Sequence, residues 1–136
     1  MIVVDSSIAL QWILPESGND AAMSLLGRPD LMAPDILLIE SANVLAKKVR
    51  VGDLTLDEAQ RGLGIIKDAV TTMVHSSDLV GRTLGISVAL AHPVYDCCFF
   101  MCALANNAVL ATRDQPFIKR LIEHGYSDHL HFPGGK

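Results

Sequence analysis

Met1-Ile2-Val3-Val4-Asp5-Ser6-Ser7-Ile8-Ala9-Leu10 is the stretch whose reading decides the fold. An apolar run without polar alternation describes a short strand buried on both faces. The run stops at a carboxylate, and Ser6 or Ser7 can then cap a helix running to about residue 14, where Pro15 ends it. The same succession recurs along the chain. Residues 19–26 predict a helix ending near Gly27, 31–33 a short strand before Pro34, and 35–51 a long helix closed by Gly52. Thr55-Leu56-Asp57-Glu58 is a capping box that starts a helix to about residue 69. Residues 71–74 are rich in β formers, 78–91 and 94–106 read as helices, 109–112 as a strand and 115–124 as a helix ended by Gly125. Residues 129–132 read as an edge strand, on which His129 and His131 would alternate onto one face as an exposed pair.

Strands interleaved with helices imply right-handed crossovers and a short central parallel sheet, hence an α/β fold built as a three-layer α/β/α sandwich. At 136 residues the chain is expected to form a single domain, 1–136, burying roughly two-thirds of its unfolded surface. Half its residues are hydrophobic, which excludes a disordered chain. The start has no basic leader, and the apolar stretch at 97–105 is far too short to span a membrane. A cytoplasmic protein without membrane attachment is expected. The net charge of −4 argues against a general nucleic-acid coat, though not against a nuclease with a local basic rim. All three cysteines, Cys97, Cys98 and Cys102, sit too close together to staple distant segments and read as small core hydrophobes.

Four acids stand out against this apolar background. Asp5 and Asp114 each follow a strand, Glu40 follows Ile36-Leu37-Leu38-Ile39, and Asp96 is the only charge between Pro93 and Arg113. An ionised carboxylate beside buried structure is costly unless a cation or several hydrogen bonds satisfy it. Each has a bland reading: Asp5 and Asp114 as helix caps, Asp96 as a first-turn acid after Pro93, Glu40 as part of a solvated face. Taken together they point to one shared site at the carboxyl edge of the sheet, where ligands of such folds bind. Oxygen ligands without a matched Cys/His set suit Mg²⁺ or Mn²⁺, ions that serve phosphoryl chemistry. On a helical projection Leu38, Ile39, Ala42, Leu45, Ala46 and Val49 form an apolar face, opposite Glu40, Asn43, Lys47 and Arg50. Asn43 is thus a candidate substrate contact. Trp12 reads as core, and His75, His92 and His124 show no pairing signal.

With these residues in view the chain resembles a PIN domain of the kind found in VapC-type toxins of prokaryotic toxin–antitoxin pairs. The matching segments are Val3-Val4-Asp5-Ser6-Ser7-Ile8-Ala9-Leu10-Gln11-Trp12 with Pro15-Glu16, Ala33-Pro34-Asp35, Ile39-Glu40-Ser41-Ala42-Asn43-Val44-Leu45, His92-Pro93-Val94-Tyr95-Asp96-Cys97 and Leu110-Ala111-Thr112-Arg113-Asp114. The resemblance implies an acidic pocket of Asp5, Glu40, Asp96 and Asp114 holding one or two Mg²⁺ or Mn²⁺ ions, with Ser7 and Thr112 as polar neighbours. It implies metal-dependent endoribonuclease activity on RNA, a homodimer, and inhibition by a cognate VapB-like antitoxin. Lys47, Lys48, Arg50 and Arg113 are then candidates to hold the RNA backbone. Phe99 departs from the tyrosine common in this subgroup. Rival readings are a PIN-like binding module without catalysis and a haloacid-dehalogenase-like phosphatase. The phosphatase usually wants a second aspartate where this chain has Ser7.

Overall fold

The computed structural model describes residues 1–14 and 19–132. The helix-ending Pro15 and the Pro15-Glu16 part of the first motif lie outside them. Four short strands, β1 (Ile2–Val4), β2 (Leu31–Pro34), β3 (Thr72–Val74) and β4 (Val109–Ala111), form a wholly parallel sheet in the order β3-β2-β1-β4. Between and after them come α1 (Ser6–Ala9), α2 (Asp20–Met23), α3 (Ile36–Arg50), α4 (Leu56–Ala69), α5 (Val80–Leu90), α6 (Val94–Ala105) and α7 (Gln115–Glu123).

The strand order explains where a site must be. The chain moves outward from β1 to β2 to β3, then returns across the sheet to place β4 on the free side of β1. Right-handed crossovers put the β1–β2 and β2–β3 connections on one face and the β3–β4 connection on the other, which gives the α/β/α sandwich. The strand order therefore reverses between β1 and β4, and the crevice at such a reversal opens at the carboxyl ends of the strands. Register pairs Val4 with Ala111, so the next residues outward, Asp5 and Thr112, leave the sheet side by side.

The second layer follows from composition. Helix α6 is apolar all round, as a helix buried centrally must be, and packs against β1, β2 and β4 with Cys97, Phe99, Phe100, Cys102 and Ala103 excluded from water. Its cysteines are free, and burial pushes the thiols of Cys97 and Cys102 up to about 11 and about 12, which makes them inert core residues. Phe99 lies wholly in this core. The Thr55 capping box is formed on both sides, Glu58 N to Thr55 Oγ1 at 3.1 Å and Thr55 N to Glu58 Oε1 at 2.9 Å. Trp12 is buried and donates its indole N–H to Ala22 O at 2.8 Å, which makes it core.

Several sequence expectations are corrected. The first helix is one α turn continued as a 3₁₀ turn over Leu10–Trp12, and the second shrinks to Asp20–Met23. A 3₁₀ turn at Ser76–Asp78 precedes α5. The edge strand over 129–132 does not form. Gly125, at φ +85°, turns the chain after α7, and a 3₁₀ turn at Ser127–His129 follows, leaving one bridge between Leu110 and Leu130 and a single ladder bond, His131 N to Leu110 O at 2.8 Å. His129 consequently packs beside Phe100 and Tyr126 while His131 turns elsewhere, so the two do not share a face. On α3 the buried residues are Leu37, Ser41 and Leu45, whereas Ile39 is 72% exposed. The outer apolar residues instead meet α4, where Ala42, Ala46 and Val49 line a groove with Leu56, Ala59 and Leu63.

Candidate active site

Asp5 is placed by the end of β1 and held by hydroxyls and an amide. Its Oδ1 accepts Ser7 Oγ at 2.6 Å and Ile8 N at 3.2 Å, and its Oδ2 accepts a short hydrogen bond from Thr112 Oγ1. The backbone N–H of Arg113 in turn donates to Ser7 Oγ at 2.9 Å. Despite these donors Asp5 is only 8% exposed, and burial, with the charge of Asp96, pushes its carboxyl up to about 6. Asp114 caps α7 by accepting Phe117 N at 3.1 Å, so the strand-to-helix turns after β1 and β4 each aim an aspartate at one edge.

Glu40 reaches the same edge from the second turn of α3, which starts where β2 ends. Ser6 Oγ donates to its Oε1 at 3.1 Å, while burial and the charges of Asp96 and Asp5 raise its pKa. Asp96 projects from the first turn of α6 on the opposite layer. Desolvation raises its pKa first, the charge of Asp114 adds to that, and a hydrogen bond from His92 works against it. Asp96 thus lies within electrostatic reach of the other three acids.

No lysine or arginine among the described residues pairs with any of the four. Asp35 makes the contrast. It lies on the same side of the sheet, but Ser76 N and Oγ donate to its Oδ1 at 3.1 and 2.7 Å and hold its pKa below the usual carboxylate range. Asp5, Glu40 and Asp96, raised by burial and by neighbouring carboxylates and paired with no lysine or arginine among the described residues, form with Asp114 a donor set suited to a hard divalent ion. The tightest group is His92, Asp96 and Asp114, whose ligand atoms all lie within 4.8 Å of one another; Asp5 and Glu40 are coupled to it through the charge of Asp96.

His92 overturns the sequence reading that gave it no partner. Its Nε2 lies 2.8 Å from Asp96 Oδ2, and its ring stacks on Phe117 at 4.4 Å with 19° between planes. The i, i+4 spacing to Asp96 was the one available signal. Pro93 between them masked it by ending the helical register.

The remaining candidates divide. Ser7 and Thr112 face Asp5 and act on the acid itself. Asn43 is exposed on α3 one turn beyond Glu40. Lys47 and Arg50 are displaced by roughly 10 and 15 Å along the helix axis from Glu40, and Arg50 lines the groove against α4. Lys48 pairs with Asp53 at 3.8 Å, closing the α3–α4 turn. Arg113 is exposed at the lip of the acid edge, beside a recess of about 400 Å³ that it shares with Thr112, Gln115, His131 and Phe132.

The PIN domain family profile matches residues 2–121, and the chain belongs to that family. Its fold is similar to the crystal structure of PAE2754 from Pyrobaculum aerophilum, with a TM-score of 0.69 and 20% identity over 88% of this chain and 78% of that one. It is similar also to Mycobacterium tuberculosis VapC20 (Rv2549c), described as a sarcin-ricin loop cleaving toxin, with a TM-score of 0.65 and 18% identity over 86% of this chain and 92% of that one. No curated protein matches the sequence.

Proposed function

We propose that this PIN domain is an endoribonuclease dependent on Mg²⁺ or Mn²⁺, and that it is the toxin of a toxin–antitoxin pair acting in the cytoplasm. One observation carries the reading: acids from four separate elements converge where the strand order reverses, three of them raised by burial and by one another's charge. Asp5, Glu40, Asp96 and Asp114 would hold one or two ions. A bound ion would supply acidification of water at neutral pH and would offset charge on the leaving oxygen of an in-line displacement.

The protein's own residues do the rest. Ser7 and Thr112 fix the carboxylate plane of Asp5. Ser6 fixes Glu40. Arg113 at the lip offers a cation to the RNA backbone on the open side, where a polyanion can approach an otherwise acidic edge. Of the four cations expected to touch RNA, Arg113 is favoured by its exposure beside Asp114, whereas Lys48 is engaged by Asp53 and Lys47 and Arg50 lie far down α3.

The partner reading has support in two exposed apolar features, since contiguous exposed apolar surface marks protein contacts. One is the groove between α3 and α4. The other is the stripe of Val80, Leu84 and Val88 along α5, all exposed at one-turn spacing. They suit an antitoxin and a second copy of the chain. Among the described residues no single helix is long and apolar enough to cross a membrane.

Incubation of purified protein with total cellular RNA, with Mg²⁺, Mn²⁺ or EDTA, followed by mapping of new ends, tests the activity. The expected result is metal-dependent internal cleavage with linear phosphate ends, since water is the nucleophile. Cleavage unaffected by EDTA, or ends bearing 2′,3′-cyclic phosphate, would exclude this mechanism.

A further inference from the structure

The corner between α5 and α6 is built with more care than a connection needs. Ala91 adopts the left-handed conformation at φ +51°, which reverses the chain in one residue. His92 follows, and its backbone is tied down on both sides: His92 N donates to Ser87 O at 3.2 Å, and its carbonyl accepts Ser87 Oγ at 2.6 Å and Cys97 Sγ at 3.7 Å. Arg120 of α7 donates to the carbonyls of Leu90 and Ala91 at 2.5 and 3.4 Å, pinning the same corner from a distant element. The ring itself lies flat on Phe117, which sits one turn beyond Asp114 and gives its own N–H to that acid. Backbone and ring are therefore both held, and among the described residues this arrangement aims Nε2 onto Asp96 Oδ2.

We propose that His92 is a positioning residue of the metal centre: it donates from Nε2 to Asp96 Oδ2, leaving Oδ1 as the single oxygen that Asp96 offers to the ion. The inference rests on the metal-site reading above and deepens it. Acids that ligate metals are themselves usually hydrogen-bonded, and such partners set which oxygen binds and in what plane. A small, strict octahedral ion gains from a ligand fixed in one-oxygen geometry. Phe117 links the two halves of the device, because the helix whose cap is Asp114 also carries the ring that orients the donor to Asp96.

Two substitutions separate the donor from the ring. His92→Phe keeps the stack on Phe117 and removes the N–H, whereas His92→Gln keeps an N–H near the Nε2 position and removes the stack. Mn²⁺ binding is followed by electron paramagnetic resonance, with melting temperature alongside. The expected pattern is crossed. His92→Phe melts near wild type but binds Mn²⁺ roughly tenfold to a hundredfold more weakly, while His92→Gln melts lower yet binds within about threefold of wild type. The spin-echo spectrum of bound Mn²⁺ should lack the ¹⁴N coupling of a directly bound imidazole. Wild-type affinity in His92→Phe would overturn the proposal, and so would a ¹⁴N coupling, which makes His92 a ligand. If wild type itself binds no Mn²⁺, the metal-site reading fails instead, and the two outcomes are distinct.

Discussion

The turns after β1 and after β4 use one local device and reach different ends. In each an aspartate with extended backbone accepts, through Oδ1, the amide three residues on: Ile8 at 3.2 Å for Asp5 and Phe117 at 3.1 Å for Asp114. Asp5 is buried, crossed by two hydroxyls and raised to about 6, while Asp114 is half-buried near the opening of the edge beside His92 and Asp96. The cap and the site are therefore not alternatives. Local sequence fixes the cap, and the depth of the strand end in the sheet decides what surrounds the rest of the carboxylate.

The largest expected effect treats the two turns as equals. Asp5→Asn and Asp114→Asn should each lower metal-supported RNA cleavage by about a hundredfold or more, although asparagine caps helices as well as aspartate does. Initial rates on a defined RNA, with both variants shown folded, decide it. If Asp114→Asn cleaves like wild type, Asp114 is a cap alone and the parallel breaks.

The next effect should separate them. Asp5 has its carboxyl at about 6 in the folded protein against 3.8 as a free group, so the native state holds the proton more tightly than the unfolded chain. Asp5's own contribution to the stability of the metal-free protein is then largest below about pH 4, falls as pH rises towards about 6, and is flat above, a loss on the order of 3 kcal/mol from this one group. Glu40 and Asp96, also raised, act in the same direction, while the lowered carboxyls of Asp30, Asp35 and Glu58 act in the opposite direction at the acid end. Urea unfolding in EDTA across that range should show the slope in wild type and Asp114→Asn and a clearly smaller one in Asp5→Asn. An unchanged slope in Asp5→Asn would place the buried proton elsewhere.

The smallest effect comes from removing the caps. Asp114→Ala should cost about 1 kcal/mol of metal-free stability at pH 8. Asp5→Ala should cost less or gain, because losing the cap is offset by removal of a buried charge. Equal losses in the two variants would mean that burial makes no difference to Asp5 when the metal is absent.

Much of this was legible in the sequence, for identifiable reasons. Buried strands such as Ile2–Val4 and the all-apolar helix Val94–Ala105 declare themselves by lacking polar alternation. The Thr55 capping box is a purely local motif. The face of α3 was misjudged because periodicity reports where apolar residues lie and not which partner covers them. Ser41 is buried and Ile39 exposed, since α3 packs inward through Leu37 and Leu45 and sideways on α4. The final edge strand failed because a 3₁₀ turn captured His129 against Phe100 and Tyr126. His92 escaped notice because Pro93 interrupts its i, i+4 spacing to Asp96 and because its stack on Phe117 joins residues far apart in the chain.

The central claim is that acids from four elements share one metal centre. Carboxylates about 5 Å apart repel by roughly 3 kcal/mol at an effective dielectric near 20, so an ion that bridges them should depend on all. Mn²⁺ titration by calorimetry at constant ionic strength, on wild type and on Asp5→Asn, Glu40→Gln, Asp96→Asn and Asp114→Asn, measures this directly. Wild type is expected to bind one or two ions, and every variant to lose affinity by more than about tenfold. Wild-type titration curves from two or more of the variants would contradict the claim.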